Sequence, residues 1–532
     1  MRAGPRAWTT AALVAFAAIL SHLPSLRNGF SWDDPLLVAQ NTVVAGERWG
    51  RIVLSPYHVG PMQPVPTGLY RPLTILTLTV DHHTGGGAPL PFHAGNLLLH
   101  AGVALLVLAL GWRLALPSPA PLLGALLFAV HPAPAEAVAS VAGRADLLAA
   151  AAALAALLWV GRPLLFGACL LLSLLAKESA LILPAAALVA PGIPRRARQA
   201  SFGAGCAAAA MYLVVRRAVL GSLVLPQTRG TYLENPLGVL PFAERWLAAS
   251  TVALRALKLL VFPVHLSPDY GWAETGAVGL LRAAPAAAFL LALALGAVLL
   301  ARRSAPAAFL LTAAGASWLL VSNLLLVIGT AFGERLLYLP LAPLALLAAW
   351  GAAGAGRPPL RRAGLAILVA LLVLFAARSW SASAAWRDDA SLCRAGLAAT
   401  PRSVKVLGNL AVEEAAVGRR AEARALLERA LALAPEVPAL LLNRASVALQ
   451  DGDLEEAARR VDAVLSRNPD EPFALLLQGQ IAARHGDLEG AERALARAVA
   501  LRPGWPDPAL YLERIRKARR ASSESGSGAP GD

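Results

Sequence analysis

Two carboxylates stand side by side in NGFSWDDPLLVAQN, residues 28–41, directly after the first apolar segment of the chain. Such a pair can divide its labour. An Asp before Pro35 can accept the free amides of a helix start, where proline's missing N–H is no loss, and Asp34 suits that role. Asp33 then has little structural reason to be acidic, and an unoccupied carboxylate can act as general base toward a hydroxyl. The plainer reading of both is a loop turn and helix cap, and a divalent ion held near Asp33 or Asp34 is a further alternative.

Other polar residues gather in short motifs between apolar blocks. YRPLT carries Tyr70 and Arg71; FHAGNLLLH carries His93, Asn96 and His100 at i, i+3 and i+7, one face of a helix. HPAPAEAVASVAGRADLLA supplies His131, Glu136, Arg144 and Asp146, with Glu136, Ser140 and Arg144 at four-residue steps. Lys177-Glu178, Asp269-Tyr270 and GERLLYLP, with Glu334, Arg335 and Tyr338, complete the set. Structural readings compete: inter-helix hydrogen bonds for His93, Asn96 and His100, local ion pairs for Lys177-Glu178 and Glu334-Arg335, a headgroup anchor for Tyr70-Arg71, a turn for Asp269-Tyr270. Ionisable groups beside apolar helices are costly, which favours function for Glu136, Arg144 and Asp146. No metal or other cofactor is expected: His82 and His83 are adjacent, and no Cys cluster or HExxH motif accompanies them.

The elements that position these residues are apolar helices. Hydrophobic residues make up 57% of the 532 and charged ones 15%, a balance that excludes an ordinary soluble protein. The net charge of +15 is spread as scattered Arg with no basic-aromatic module, so anionic lipid and lipid phosphate are expected partners and nucleic acid is not. Cys169, Cys206 and Cys393 are too dispersed for a disulfide framework.

Crossings are expected to begin near residues 8, 93, 119, 144, 163, 179, 199, 279, 306, 334 and 362, about eleven in all, the first as an uncleaved helix. With Arg2 and Arg6 inside, alternation also puts Arg113, Arg162, the 195–198 run, Arg302-Arg303 and Arg361-Arg362 inside. This holds if 245–263, with Arg255 and Lys258, lies in the interface or re-enters within 220–275. The N-terminus is then cytoplasmic, and the loop 27–92 and the C-terminal part are external. Matching interrupted helices in the two halves, the mark of many transporters, are not found.

After a transmembrane part, 1–380, and a linker, 381–400, the composition turns to Glu, Arg and Ala. Pro401, Pro435, Pro469 and Pro503 recur every 34 residues, as do Gly418, Gly452 and Gly486, and Ala423, Ala457 and Ala491. That is the tetratricopeptide period: small residues let paired helices approach, Gly permits their turn, and Pro ends the second helix. Repeats at 405–438, 439–472 and 473–506 with a capping helix at 507–520 fill a domain at 401–520, and 521–532 is a polar tail expected to be disordered. The whole is an all-α chain, a polytopic bundle followed by an α-solenoid.

The ordered set of motifs, followed by the repeats, resembles the transmembrane-and-tetratricopeptide-repeat O-mannosyltransferases, which have the GT-C glycosyltransferase fold. The resemblance runs from about residue 8 to about residue 506. It implies inverting transfer of a sugar, typically mannose, from a polyprenyl-phosphate carrier to Ser or Thr hydroxyls on the external face. Asp33 would be the base, although related enzymes carry Asp-Glu where this chain has Asp33-Asp34. Arg335 and Arg144 first, then Lys177, would meet the departing phosphate, with Glu334, Tyr338, Tyr70 and Arg71 also at the donor. His93, Asn96, His100, His131, Glu136, Asp146, Glu178, Asp269 and Tyr270 would support the site, and the repeats would engage the acceptor protein. The Ala, Leu and Arg bias points to a GC-rich bacterium, hence an inner-membrane enzyme using a bacterial polyprenol. The alternatives are the same donor chemistry on an envelope glycolipid or polysaccharide, and a membrane-anchored scaffold without catalysis.

Overall fold

Proline sets where many of the apolar segments become helices. Its missing N–H costs nothing in the first turn, where Pro35, Pro72, Pro89, Pro121, Pro163 and Pro184 stand. The computed structural model describes residues 5–46, 49–60, 68–223, 235–271, 280–354 and 358–526, so Arg2 and the tail from residue 527 lie outside them. Two compact units are present, one ending at Pro401 and one made of the residues from Arg402 on together with Val59 and Gly60.

In the first unit α1 (Pro5–His22) and the single turn α2 (Asp34–Leu37) precede α3 (Pro72–Gly85) and α4 (Pro89–Arg113). Next come α5 (Ala120–Val130), α6 (Ala135–Ala139), α7 (Arg144–Leu158), α8 (Pro163–Ala176), α9 (Pro184–Leu188) and α10 (Arg195–Leu220). The unit closes with α11 (Phe242–Val261), α12 (Leu280–Arg303), α13 (Ala305–Leu319), α14 (Tyr338–Ala353), α15 (Pro358–Ala385) and α16 (Asp389–Ala399). The last of these is a helix inside the segment expected to be a linker.

Among the described residues seven segments are long and apolar enough to cross a membrane: Arg6–Arg27, Pro89–Arg113, Val141–Leu158, Arg195–Leu220, Ala283–Arg303, Glu334–Ala353 and Pro358–Ala385. The chain is an integral membrane protein. Four shorter apolar helices, Ala120–Val130, Pro163–Ala176, Glu178–Leu188 and Ala305–Leu319, lie at the other expected starts. They are shorter than the roughly 20 residues of a full crossing, so length alone marks out seven spans, and the expected eleven requires these four to cross as well. The helix α11 is absent from the seven because Glu244, Arg245, Arg255 and Lys258 interrupt it.

Helices α5, α7 and α14 are buried along most of their length, whereas α12 and α15 leave Leu291, Leu295, Ile367 and Val373 exposed. Against lipid such side chains need no cover. Lipid also removes the hydrophobic drive between helices, so polar contacts inside the bundle carry more of its specificity.

The second unit is built of helix pairs: α17 (Val404–Ala416) with α18 (Arg420–Leu433), α19 (Pro438–Asp451) with α20 (Leu454–Leu465), and α21 (Pro472–Arg484) with α22 (Leu488–Leu501). A final helix, α23 (Pro506–Gly526), packs Leu512 beside Leu476, Leu495 and Trp505. It continues past residue 520, into the segment expected to be disordered. Gly452 turns α19 into α20 at φ +84°, a backbone that side chains with a Cβ rarely adopt. Asp453 then caps α20 by accepting the Glu456 amide at 3.0 Å, worth about 1 kcal/mol. A second proline series, Pro438, Pro472 and Pro506, opens α19, α21 and α23.

Candidate functional site

Asp33 and Asp34 do divide, but not as helix cap and spare. Asp33 occupies the N-cap position of α2 and Asp34 the first helical one, and neither side chain caps a helix amide. Asp34 is fully buried and reaches across to the turn before α7. Its Oδ1 accepts the Ser140 hydroxyl at 3.0 Å and the Ala142 amide at 2.9 Å, and its Oδ2 accepts the Ser31 amide at 3.3 Å. The expected capping role is thus replaced by a clasp between two loops, because α2 is too short to need a cap and the turn offers better donors. Burial raises the Asp34 carboxyl to about 7, against the pull of these hydrogen bonds.

Asp33, by contrast, has 39% of its side chain exposed. Arg335 Nη1 stands 3.6 Å from its Oδ2 and 3.3 Å from Glu136 Oε1, and the Arg335 amide donates to Glu136 Oε2 at 2.8 Å. Glu136 is buried on the single turn α6, where loss of water raises its pKa and Arg335 opposes that rise. Two donors from one residue fix Glu136, and Glu136 in turn orients the guanidinium that faces Asp33.

The adjacent Lys177 and Glu178 do not pair with each other; the break between α8 and the turn after it sends them to opposite sides. Lys177 Nζ donates to both oxygens of Asp146, at 2.6 and 2.7 Å, and both side chains are 8% exposed. Glu178 accepts from Arg71 at 3.2 and 3.3 Å, with 29% and 13% exposure. The Arg71 guanidinium also lies 5.0 Å from the centre of the Tyr57 ring. Asp33, Arg71 and Arg335 all act on His58, whose pKa burial lowers to about 4 while Asp33 opposes the fall. The same burial lifts the Tyr57 hydroxyl to about 12. These effects join Asp33, Tyr57 and His58, the start of α3, the turn after α8 and the turn before α14 into one cluster.

Arg144 is closed off. Its guanidinium donates to Asn96 Oδ1, to Asp81 Oδ2 at 2.6 Å and to the Phe92 carbonyl at 2.8 Å. Gly95 on α4 makes room, since a Cβ there would stand 2.7 Å from Nη2. Asn96 completes the knot by donating to the Ser140 carbonyl at 2.7 Å, next to the Asp34 clasp.

The remaining expected residues serve packing or turns. His93 meets the Gly29 carbonyl at 3.2 Å; His100 Nδ1 meets the Tyr338 hydroxyl at 2.8 Å, deep in the bundle. His131 meets the Leu260 carbonyl at 3.0 Å, and Tyr70 donates to the Val53 carbonyl at 2.9 Å. Asp269 accepts the Gly271 amide at 3.0 Å. Tyr270 donates to Glu334, which also accepts the Ser267 amide at 2.7 Å, so Glu334 and Arg335 form no local ion pair. Burial raises the Tyr270 pKa well above its usual value.

Asp81, Tyr57 and His58 were missed from sequence. Asp81 carried a signal, a lone carboxylate in the apolar run TILTLTVD. Tyr57 and His58 lie in an irregular loop whose course no periodicity reveals. Among the described residues, no group of three or more His, Cys, Asp or Glu side chains is placed to hold a metal ion.

A family model described as tetratricopeptide repeat matches residues 409–460 and 445–508. Human "Protein O-mannosyl-transferase TMTC4" is 35% identical over 163 residues, 26% of this chain and 21% of that protein. "Protein O-mannosyl-transferase F38B6.6" of Caenorhabditis elegans is 26% identical over 422 residues, 74% of this chain and 58% of that one. "Protein O-mannosyl-transferase Tmtc2" of Drosophila melanogaster is 32% identical over 276 residues, 48% and 29% respectively. The chain therefore spans 58% or less of the length of these curated relatives. A solved structure titled "MamA RS-1 ArsTM double mutant" aligns with a TM-score of 0.22 at 18% identity, over 26% of this chain and 79% of that one.

Proposed function

We propose, from the premise that this chain belongs to the transmembrane-and-tetratricopeptide-repeat protein O-mannosyltransferase family, that it is a membrane glycosyltransferase acting on proteins. It moves a mannosyl group from a polyprenyl-phosphate donor to a Ser or Thr hydroxyl. The observation that carries this reading is Asp33, the most exposed of the ion-paired carboxylates around Arg335, held between a clasped neighbour and a cation.

In the reaction Asp33 takes the acceptor's hydroxyl proton as the oxygen bonds to the anomeric carbon. The bond from that carbon to the phosphate oxygen breaks, and the electron pair leaves with the lipid phosphate. Arg335 and Arg71, the two partly exposed cations, stabilise that charge, and Lys177 adds its field from behind. Attack and departure on opposite sides invert the anomeric centre.

The site opens to the external face with the N-terminus in the cytoplasm, supported by the distribution of Arg when the four shorter apolar helices cross as well. The repeats hold the acceptor on that same face, and the carrier is a bacterial polyprenol.

Asp33→Asn is expected to insert normally in the membrane and to lose transfer from a polyprenyl-phosphate sugar in purified form. Undiminished transfer would remove Asp33 from the mechanism. A reporter fused after residue 520 is expected outside, and a cytoplasmic signal would overturn the shared-face arrangement.

A further inference from the structure

We infer that Asp389, at the start of α16, is a positioning residue that aims Asp33 by holding the backbone of Trp32; the inference rests on the reading of Asp33 as base. Trp32 has φ +58°, and for a bulky aromatic residue this left-handed conformation is strained and persists only where surroundings enforce it.

The segment around the start of α16 supplies part of that enforcement. The Trp32 amide donates to Asp389 Oδ1 at 2.7 Å, and the indole packs with Trp386, Leu392 and Ala139. Three residues earlier, the Gly29 amide donates to the Arg387 carbonyl at 2.9 Å, and the Ser31 hydroxyl meets the Trp386 carbonyl at 3.4 Å. The segment 386–392 thus grips the chain just before Asp33, and the Asp34 clasp grips it just after.

Asp33 is the one carboxylate between two fixed points. Its approach to Arg335, 3.6 Å away, follows from where those points put its Cα. Released from Asp389, Trp32 relaxes toward a negative φ, and the Asp33 carboxylate swings from its line to the acceptor oxygen. Displacements of about 1 Å at a reacting group cost on the order of 10–100-fold in rate.

The test uses the full-length protein in detergent, a synthetic polyprenyl-phosphate-mannose and a Ser/Thr peptide. Asp389→Ala is expected to lower kcat about 10–100-fold with both KM values unchanged. Asp389→Asn, whose carbonyl still accepts the Trp32 amide, is expected to keep kcat within about threefold. Asp388→Ala removes the cap of the same helix, where Asp388 Oδ1 accepts the Ser391 amide at 2.7 Å, without touching Trp32. It is expected to leave kcat nearly unchanged, and a fall as deep as that of Asp389→Ala would reduce the effect to helix integrity and overturn the proposal. Glycine takes φ +58° unaided, so Trp32→Gly combined with Asp389→Ala is expected to match Trp32→Gly alone. A double variant about tenfold slower than Trp32→Gly alone overturns the proposal even if Asp389→Ala by itself does not fold. Asp33→Asn separates the two readings. Full activity there defeats the base assignment, whereas an inactive Asp33→Asn beside a fully active Asp389→Ala defeats the positioning role only.

Discussion

Arg144 and Arg335 are both arginines set at helix starts among carboxylates, yet one is closed and the other open. Arg144 has 3% of its side chain exposed and spends its donors on Asp81, Asn96 and the Phe92 carbonyl. Arg335 is 26% exposed and meets Asp33 and Glu136 at 3.6 and 3.3 Å, longer than a tight charge-assisted hydrogen bond. A guanidinium whose Nε and Nη2 are held by three partners fastens helices and cannot turn to a phosphate without giving one of them up. A loosely held one can. The comparison therefore moves the donor role proposed for cations from Arg144 toward Arg335 and Arg71.

The strongest way to break that distinction is Arg144→Leu. It leaves Asp81 and Asn96 without their cation, and removing one member of a buried pair costs about 3–5 kcal/mol. The expected result is a large fall in the thermal midpoint of the detergent-purified protein, partly recovered by adding Asp81→Asn. A normal midpoint with a raised KM for the donor would mean that Arg144 is the open cation after all.

Arg335→Lys comes next. The charge stays and the Glu136 contact to the residue 335 amide stays, but the planar fork facing Asp33 is lost. Transfer is expected to fall about 100-fold in kcat/KM, some 2.7 kcal/mol of transition-state stabilisation, with little change in melting. Loss of folding in place of activity would make Arg335 a fastener like Arg144.

How far was this distinction legible in the sequence? The helical class, the repeat unit and the motifs carrying Asp33, Arg71, Glu136, Lys177 and Arg335 all were, because apolar length, the 34-residue period and polar residues between spans are local signals. Pairing was not. Lys177 finds Asp146 and Glu178 finds Arg71 because a helix break separates neighbours, and Arg144 finds Asp81 because the start of α7 packs against α3 and α4; no spacing encodes either. Exposure, which separates Arg335 from Arg144, is a property of the assembled bundle. The clasp of Asp34 was hidden for the same reason, since Ser140 and Ala142 lie more than 100 residues away.

That clasp supplies a smaller, pH-dependent test. Burial lifts the Asp34 carboxyl from 3.8 to about 7, so the folded state holds its proton more tightly than the unfolded chain does. The resulting stability is full below about pH 4 and is lost as pH rises through about 7, on the order of 2 kcal/mol between pH 5 and 8. Thermal midpoints of wild type should decline across that range, and Asp34→Asn should flatten the slope. An unchanged slope would mean that Asp34 titrates as a solvated carboxylate, which its burial among three donors opposes.

The smallest effect is expected at Glu178→Gln, in the open half of the cluster. The Arg71–Glu178 pair is partly exposed, so its contribution to stability is discounted to below about 1 kcal/mol. Glutamine keeps one carbonyl for the Arg71 fork but withdraws the negative charge. Arg71 remains cationic and has more of its field free for an incoming phosphate, so the donor KM should hold or fall by about threefold while the melting temperature stays put. The same substitution in a closed pair, Asp146→Asn beside Lys177, strands a charge that is only 8% exposed and should cost stability instead. If Glu178→Gln destabilised the protein as much as Asp146→Asn, exposure would not be what separates the two kinds of charge.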